Sequence, residues 1–279
     1  MSKHISLLLI DNTPDGRVAC ELSNWTGKAY KIPRTLFKVS ADRQDLHKAG
    51  VYFLFGRDQI DPEINIAYIG EAEEVYKRVA QHQDKDFWSE VVIFISKDEN
   101  LNKAHVKFLE YAIYDAAFAT KRCRLANTNT PNCPALSEAE LAVMGEFLEN
   151  LKVLVGTMGY KLFQPLTKPY PKSADLYYIS AARGAKAKAL VTTEGIVVLE
   201  GSEIATSCVP STAPSTIALR NKFLEQAVIV SDGEKLRFSK DYLFTSPSTA
   251  AAVVLGRTAN GRIEWKDSAG HSLKENEEE

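Results

Sequence analysis

The chain has 279 residues, of which 45% are hydrophobic and 25% are charged. This balance is typical of an ordinary globular protein with enough chain for two domains. The net charge of −2 argues against indiscriminate tight binding to nucleic acid, which depends on neutralising phosphates, although it permits a local basic groove. No apolar run approaches the roughly 20 residues that span a bilayer, and no cleavage pattern follows the brief apolar start. We therefore expect a cytoplasmic protein with no membrane partner.

The cysteine spacing gives no sign of a zinc module. Cys20, Cys123, Cys133 and Cys208 form no CxxC pair, which is the spacing that structural zinc sites commonly use. For a cytoplasmic protein, reduced thiols are then the expected state.

The first 47 residues alternate apolar and polar side chains, and turn signals separate the apolar runs. Ile5, Leu7 and Leu9 form one such run, and the segment 12–16 (NTPDG) supplies a turn. Because alternation with a period of two indicates strands, we predict a small β unit over 1–47 that packs on the domain after it.

Residues 48–135 show an α/β pattern. The predicted elements are strands at 50–55, 64–69 and 90–95 and helices at 72–83 and 101–119. This order predicts a small mixed sheet flanked by helices. On helix 101–119 the apolar face is predicted to centre near Ala104, His105, Phe108 and Ala112, so that periodicity alone places Glu110 on the solvated side.

A long amphipathic helix is predicted within 136–160. Ser137-Glu-Ala-Glu140 is a capping-box signature, and apolar residues recur at helical spacing from Leu141 to Met158. This apolar stripe favours a place in the core, with a homodimer interface through 137–158 as the alternative.

Three prolines in 161–173 predict a linker, and a second, β-rich α+β domain follows over 174–275 with an acidic tail at 276–279. Its predicted strands are 175–180, 187–191 and 195–199. Ser246-Pro247-Ser248 predicts a helix start and Asn260-Gly261 a turn, while Trp265 is either a core anchor or a base-stacking platform. The whole chain is thus predicted to be α+β, and this domain is expected to serve targeting.

Two short motifs are the most informative part of the chain. Gly50-Val51-Tyr52 opens one predicted strand and Tyr68-Ile69-Gly70 closes the next, so two phenols are expected to lie together at a sheet edge, where glycine lets a substrate backbone approach closely. Either tyrosine alone is more often a half-buried packing residue.

The motifs and their surroundings resemble the GIY-YIG nuclease family. Residues 49–55 and 64–70 resemble its first two strands, 75–82 resembles the helix bearing its arginine and histidine, Leu109-Glu110 resembles its metal-binding glutamate helix, and Asn127 resembles its late asparagine. Val51 stands where the motif name has isoleucine, and the 56–63 loop is rather long. The closing segments of the second domain resemble a domain of unassigned role that accompanies many bacterial GIY-YIG proteins, with some likeness to the RAMA domains of restriction-modification systems.

The resemblance implies a metal-dependent endonuclease acting on DNA, with restriction or anti-phage defence as its setting by analogy. The implied catalytic residues are Tyr52, Tyr68, Arg78, His82 and Asn127, with Glu110 as the ligand of Mg²⁺ or Mn²⁺. Lys77, Arg122 and Arg124 are weaker candidates for substrate binding.

The chemistry of these residue types suits phosphodiester hydrolysis. A phenol orients or deprotonates water when a cation or metal assists it, a guanidinium offers a two-pronged contact to phosphate, and a carboxylate is a hard ligand for Mg²⁺. We therefore expect Tyr52, Arg78 and Glu110 to meet in one cleft.

A second hypothesis comes from a different functional class. Taken singly, each of these residues has an ordinary structural explanation. Arg78 and His82 are four residues apart, a spacing that occurs on any polar helix face. Asparagine is common in turns, which would explain Asn127. The alternative is therefore a catalytically silent module that binds DNA or a protein partner.

Overall fold

A computed structural model of the chain describes residues 2–58, 64–167 and 176–278. The chain divides into two compact units, Met1–Pro165 and Leu166–Glu279, and each combines helices with an antiparallel or mixed sheet. The predicted α+β class is confirmed. Within the described ranges, no helix is long and apolar enough to cross a membrane. The predicted linker lies largely outside these ranges, because only 161–167 of it is described.

Sheet 1 forms the centre of the first unit. Its strands are β1 (Ile5–Leu9), β2 (Val18–Leu22), β3 (Gly27–Pro33), β4 (Gly50–Arg57), β5 (Asn65–Ala72), β6 (Trp88–Ser96) and β7 (Arg124–Leu125). Among the described residues their order is β1-β2-β3-β6-β4-β5-β7. The sequence pattern gave 1–47 a unit of its own, whereas β3 pairs with β6 along its whole length. The N-terminal strands are thus part of the same sheet.

Helices cover both faces of sheet 1. The helices are α1 (Val75–Ala80), α2 (Lys103–Thr120) and α3 (Glu138–Thr157), and three short 3-10 helices lie at Arg34–Leu36, Lys38–Ser40 and Gln44–His47. One hydrophobic cluster joins one sheet face to α2 and α3, and another joins the opposite face to α1 and the 3-10 segments. Helix α1 is shorter than the predicted 72–83, because Ala72 still pairs with Gly50 in the sheet.

The buried face of α2 differs from the prediction. Its buried residues are Val106, Leu109, Ile113 and Ala117, not the predicted centre near Ala104, His105, Phe108 and Ala112. The reason lies at the helix start, where the His105 backbone N–H donates to the Asn102 side chain in a capping box. That arrangement holds His105 at the helix end, and Glu110, one turn from both Val106 and Ile113, then borders the buried face.

The apolar stripe of α3 lies in the core of the first unit. Met144, Leu151 and Leu154 are buried in the cluster between α3 and the sheet, as the favoured interpretation predicts, whereas Leu141 at the helix start is 42% exposed. The chain itself therefore covers most of the surface that a homodimer through 137–158 would use.

The second unit has its own sheet, called sheet 2. It contains β8 (Leu176–Ser180), β9 (Lys186–Thr192), β10 (Gly195–Val198), β11 (Glu203–Ile204), β12 (Ile229–Asp232), β13 (Lys235–Phe238) and β14 (Tyr242–Phe244). The helices are α4 (Pro214–Glu225), α5 (Pro247–Leu255), α6 (Gly261–Glu264) and α7 (Leu273–Glu278). In the described part of this unit the order is β12-β13-β11-β9-β10-β14, and β8 pairs with β9.

The turn and core predictions for the second unit have mixed outcomes. Ser246 caps α5 as predicted. Asn260 does not form a hairpin turn; its side chain accepts from the Arg262 N–H and caps α6. Trp265 has no exposed surface and its indole N–H donates to the Pro247 carbonyl. It is therefore a core anchor, and the base-stacking alternative is wrong.

The cap of α3 gives a stability prediction. The Ser137 hydroxyl accepts from the Glu140 backbone N–H, and the Glu140 carboxylate accepts from the Ser137 N–H. We expect Ser137→Ala to lower the free energy of unfolding by about 1 kcal/mol, measured by urea denaturation, because it leaves a helix N–H unpaired. Ser89→Ala, whose hydroxyl is 3.5 Å from its acceptor, is the control; equal stability of the two variants would contradict this role of the cap.

Candidate active site

The two motif tyrosines lie on the same face of sheet 1. In the register of β4 and β5, Tyr52 is opposite Gly70 and Leu54 is opposite Tyr68, so the tyrosines are diagonal neighbours. Their ring centroids are 6.2 Å apart. Strand β4 is interior, but β7 pairs only with Ile66 and Ala67 of β5. The phenols therefore lie next to the point where β5 loses its outer partner.

Gly70 provides the space that the Tyr52 ring occupies. A Cβ atom at Gly70 would lie 2.4 Å from the Tyr52 hydroxyl oxygen, and one at Gly50 would lie 2.2 Å from the Phe94 carbonyl oxygen. Both distances are far shorter than a van der Waals contact. The sequence motifs suggested that these glycines admit a substrate backbone; the structure instead shows that the protein's own atoms fill the space.

Tyr52 and His82 form a buried hydrogen-bonded pair. The Tyr52 hydroxyl is 2.7 Å from His82 Nε2, and both residues are almost entirely buried. Burial, assisted by Lys85 and Arg78, lowers the pKa of His82 to about 4, while burial and then Tyr68 raise the pKa of Tyr52 well above its usual range. The phenol therefore keeps its proton and the imidazole stays neutral.

A cleft of about 320 Å³ opens beside this pair, at the end of β5. It is lined by Tyr52, Tyr68, Gly70, Glu71, Ala72, Glu73, Arg78, Lys103 and Glu110. The structure thus brings Tyr52, Tyr68, Arg78 and Glu110 to one place, as expected from the sequence, and His82 is bonded to Tyr52. Their chemical roles stay predictions.

Asn127 is not among the residues that line the cleft. Its side-chain oxygen accepts from the Ile69 N–H at 3.0 Å, and its amide nitrogen donates to the Ile69 carbonyl at 2.7 Å. The side chain thus pairs with β5 as another strand would, just after β7 ends. The contact fixes the backbone between Tyr68 and Gly70, so Asn127 acts as a positioning residue here.

The three weaker candidates, Lys77, Arg122 and Arg124, do not line the cleft either. Arg124 forms an ion pair with Asp58, and its position opposite Ile66 places it at the other end of β5 from Gly70. Lys77 precedes Arg78 on α1. Because consecutive helical residues point about 100° apart, the Lys77 side chain leaves the helix in a different direction from that of Arg78.

Three charged residues of the cleft were missed in the sequence. Lys103 Nζ is 3.1 Å from both carboxylate oxygens of Glu71 and 3.8 Å from Glu73. The signal was present, since Glu71 directly follows the second motif and Lys103 precedes Glu110 by seven residues, which is two turns on one helix face. The ion pair itself depends on the packing of α2 beside β5.

Glu110 is a partly buried carboxylate of the cleft. Burial, and then the negative charge of Glu71, raise the pKa of Glu110 to about 7. A divalent cation would favour its ionised form. Across 2–58, 64–167 and 176–278 there is no group of three or more His, Cys, Asp or Glu arranged to hold a metal. Glu110 and the neighbouring Glu71 are of the ligand type and number that Mg²⁺ takes when water and phosphate oxygen fill its remaining positions.

The comparisons with known proteins concern the second unit. Residues 177–277 match the model of a family described as a domain of unknown function, DUF4357. Searches of curated proteins and of solved structures gave no match.

The contact between Tyr52 and Gly70 can be tested with one methyl group. We expect Gly70→Ala to lower the free energy of unfolding by about 2 kcal/mol, because the added carbon displaces a fully buried ring. Gly145→Ala is the matched control, since it lies within α3 with no atom near the added Cβ, and it should raise stability by up to about 1 kcal/mol. If urea denaturation gives Gly70→Ala the stability of the wild type, the ring is not held as described.

The raised pKa of Glu110 predicts a pH-dependent effect on stability. Between about 4.5 and about 7 the folded protein holds a proton that the unfolded chain releases, so the wild type loses stability as pH rises through this window. In EDTA, we expect Glu110→Gln to be more stable than wild type by about 2 kcal/mol at about pH 8 and nearly equal to it at about pH 4.5.

Glu73→Gln is the control for this measurement, because it makes the same substitution at a cleft carboxylate whose side chain is 70% exposed. A gain in stability for Glu110→Gln that is the same at both pH values would contradict the predicted titration.

Proposed function

We propose that this protein is a metal-dependent endonuclease of the GIY-YIG type that hydrolyses phosphodiester bonds in DNA. The observation that carries the proposal is the cleft in which the Tyr52–His82 pair meets Arg78 and Glu110. The order of these residues in the chain supports the same conclusion independently. A role in restriction or anti-phage defence rests on analogy alone.

Hydrolysis requires a water that is oriented and loses a proton as its oxygen bonds to phosphorus. In the tautomer that this proposal requires, the Tyr52 hydroxyl donates to His82 Nε2, so its oxygen can still accept a hydrogen bond from a water in the cleft. As the Tyr52 oxygen takes a proton from that water, the original phenolic proton can pass to His82 Nε2. A bound phosphate would assist this transfer, since its negative charge opposes the effect of Lys85 and Arg78 on the pKa of His82.

Two cations of the cleft, Arg78 and Lys103, can bind the phosphate group of the substrate. Arg78 is exposed, donates to Gln81 through Nη1 and also hydrogen-bonds Tyr52, so its remaining N–H groups are available for phosphate oxygens. Lys103 offers a second positive charge that Glu71 holds in place. Both can stabilise the extra negative charge of the transition state.

Glu110 would hold Mg²⁺ or Mn²⁺, and the ion would supply positive charge to neutralise the phosphate and the departing oxygen. Glu71 lies near enough to influence the ionisation of Glu110 and is the second carboxylate available to the same ion. In the absence of substrate, the ion pair between Glu71 and Lys103 neutralises one negative and one positive charge of the cleft.

The test is nicking of supercoiled plasmid with Mg²⁺, with Mn²⁺ and with EDTA. We expect metal-dependent nicking by the wild type and a loss of about 100-fold or more in Glu110→Ala, which removes the metal ligand. Arg78→Lys should lose about tenfold or more, because an ammonium keeps the charge but not the two-pronged contact. Lys77→Ala, next to Arg78 but outside the cleft, is the control and should retain activity.

Two outcomes would contradict the proposal. Nicking by Glu110→Ala at the wild-type rate would mean that the metal is held elsewhere. DNA binding by the wild type without nicking in either metal would favour a silent binding module instead.

A further inference from the structure

The outward side of sheet 2 carries a cluster of positive charge, which we call the basic face. It comprises Tyr178, Lys186, Lys188, Lys235, Arg237 and Lys266. On β9 the alternate residues Ala187 and Ala189 are buried in the core, so Lys186 and Lys188 point to the opposite side. Both lysines are exposed.

The strand register places the other members on the same side. Tyr178 is opposite Lys188 on one side and Lys266 on the other. Lys186 is opposite Glu203, which in turn is opposite Arg237. Directly opposed residues in antiparallel strands share a face, and Lys235 shares it because it precedes Arg237 by two.

The acidic residues of this face are already paired. Lys235 Nζ is 2.6 Å from a Glu203 oxygen, and the Arg237 guanidinium is 3.4 Å from an Asp232 oxygen. The hydrogen bond from Lys235, with the charges of Lys186 and Arg237, lowers the pKa of Glu203. Within the described part of the chain, Lys186, Lys188 and Lys266 have no ion pair. The face therefore retains excess positive charge although the protein is acidic overall.

Tyr178 lies between two of these unpaired lysines. In this row Tyr178 of β8 pairs with Lys188 of β9 on one side and with Lys266, in an isolated β-bridge, on the other, and the tyrosine is partly exposed. A flat aromatic ring flanked by ammonium groups can stack on an unpaired base while the lysines contact its phosphates. Large apolar side chains that the described part of the second unit exposes are Val191, Ile217, Leu224 and Ile263. None occupies an outward position of these strands, which argues against a lipid surface.

We propose that the basic face binds single-stranded nucleic acid, with Tyr178 stacking on a base and Lys186, Lys188 and Lys266 contacting the backbone. This assigns a ligand class to the domain that matches DUF4357. It rests on the second unit alone and does not require the first unit to be a nuclease.

The test measures binding by the full-length protein in EDTA, so that metal-dependent cleavage does not interfere. The probe is a fluorescent oligothymidylate of about 20 nucleotides, followed by anisotropy at several salt concentrations. We expect Lys186→Glu/Lys188→Glu to bind about tenfold or more weakly and to reduce the salt dependence by about 1 to 2 in log–log slope. Tyr178→Ala should also lose about tenfold, whereas Tyr178→Phe retains the stacking ring and should bind as the wild type does.

Lys240→Glu/Lys274→Glu is the matched control, because it makes the same change in net charge at residues that are outside the basic face; it should bind within about twofold of the wild type. Lys186→Gln/Lys188→Gln serves if the glutamate variant does not fold by circular dichroism, and it should also weaken binding. Unchanged affinity in the lysine variants, or an equal loss in the control, would overturn the proposal. So would tighter binding to polyglutamate, duplex DNA or phosphatidylserine vesicles than to the oligonucleotide.

The same variants separate this proposal from the nuclease. Lost binding by the Lys186 and Lys188 variants with persistent plasmid nicking leaves both proposals standing. If the Lys186 and Lys188 variants bind the oligonucleotide as tightly as the wild type and still nick plasmid, only the proposal for the basic face is overturned. If the wild-type protein binds the oligonucleotide but does not nick plasmid, only the nuclease proposal is overturned.

Discussion

The contact between the Tyr52 ring and the backbone of Gly70 is the constraint on which the cleft of the first unit depends. A side chain at position 70 would occupy the place of the phenol. Because the space is open, Tyr52 lies across β5 and reaches His82 at 2.7 Å. His82 is in turn fixed by the Trp88 indole N–H, which donates to its carbonyl at 2.9 Å. Two strands and the segment after α1 are thereby tied together beneath the cleft.

Electrostatics then give this cleft its chemical character. Two cations, Arg78 and Lys103, face three carboxylates, Glu71, Glu73 and Glu110. Burial keeps the phenol protonated and the imidazole neutral, and holds the pKa of Glu110 near neutrality. In such surroundings a divalent cation or a phosphate changes the protonation of several groups at once, since each responds to its neighbours' charge.

The two units supply different capacities. The first holds a concave site with buried titratable groups, and the second presents an outward sheet surface with unpaired lysines around Tyr178. Each unit has its own hydrophobic core, so the features of one can be altered without removing the core of the other. The proposed cleavage and the proposed strand binding are therefore separable by point substitution.

The sequence by itself determined the α+β class, the helix start at Ser137 and the two motif strands, because capping and strand periodicity are local properties that short segments encode. Only the tertiary structure decided which faces and charges meet. Val106 and Leu109, not Ala104 and His105, are the fully buried residues at the start of α2, which brings Glu110 beside the cleft. Lys103 reaches Glu71 across 32 residues of sequence, Asn127 pairs with Ile69, and the strands before residue 47 join the central sheet. These contacts join distant segments, and their partners are set by how whole elements pack.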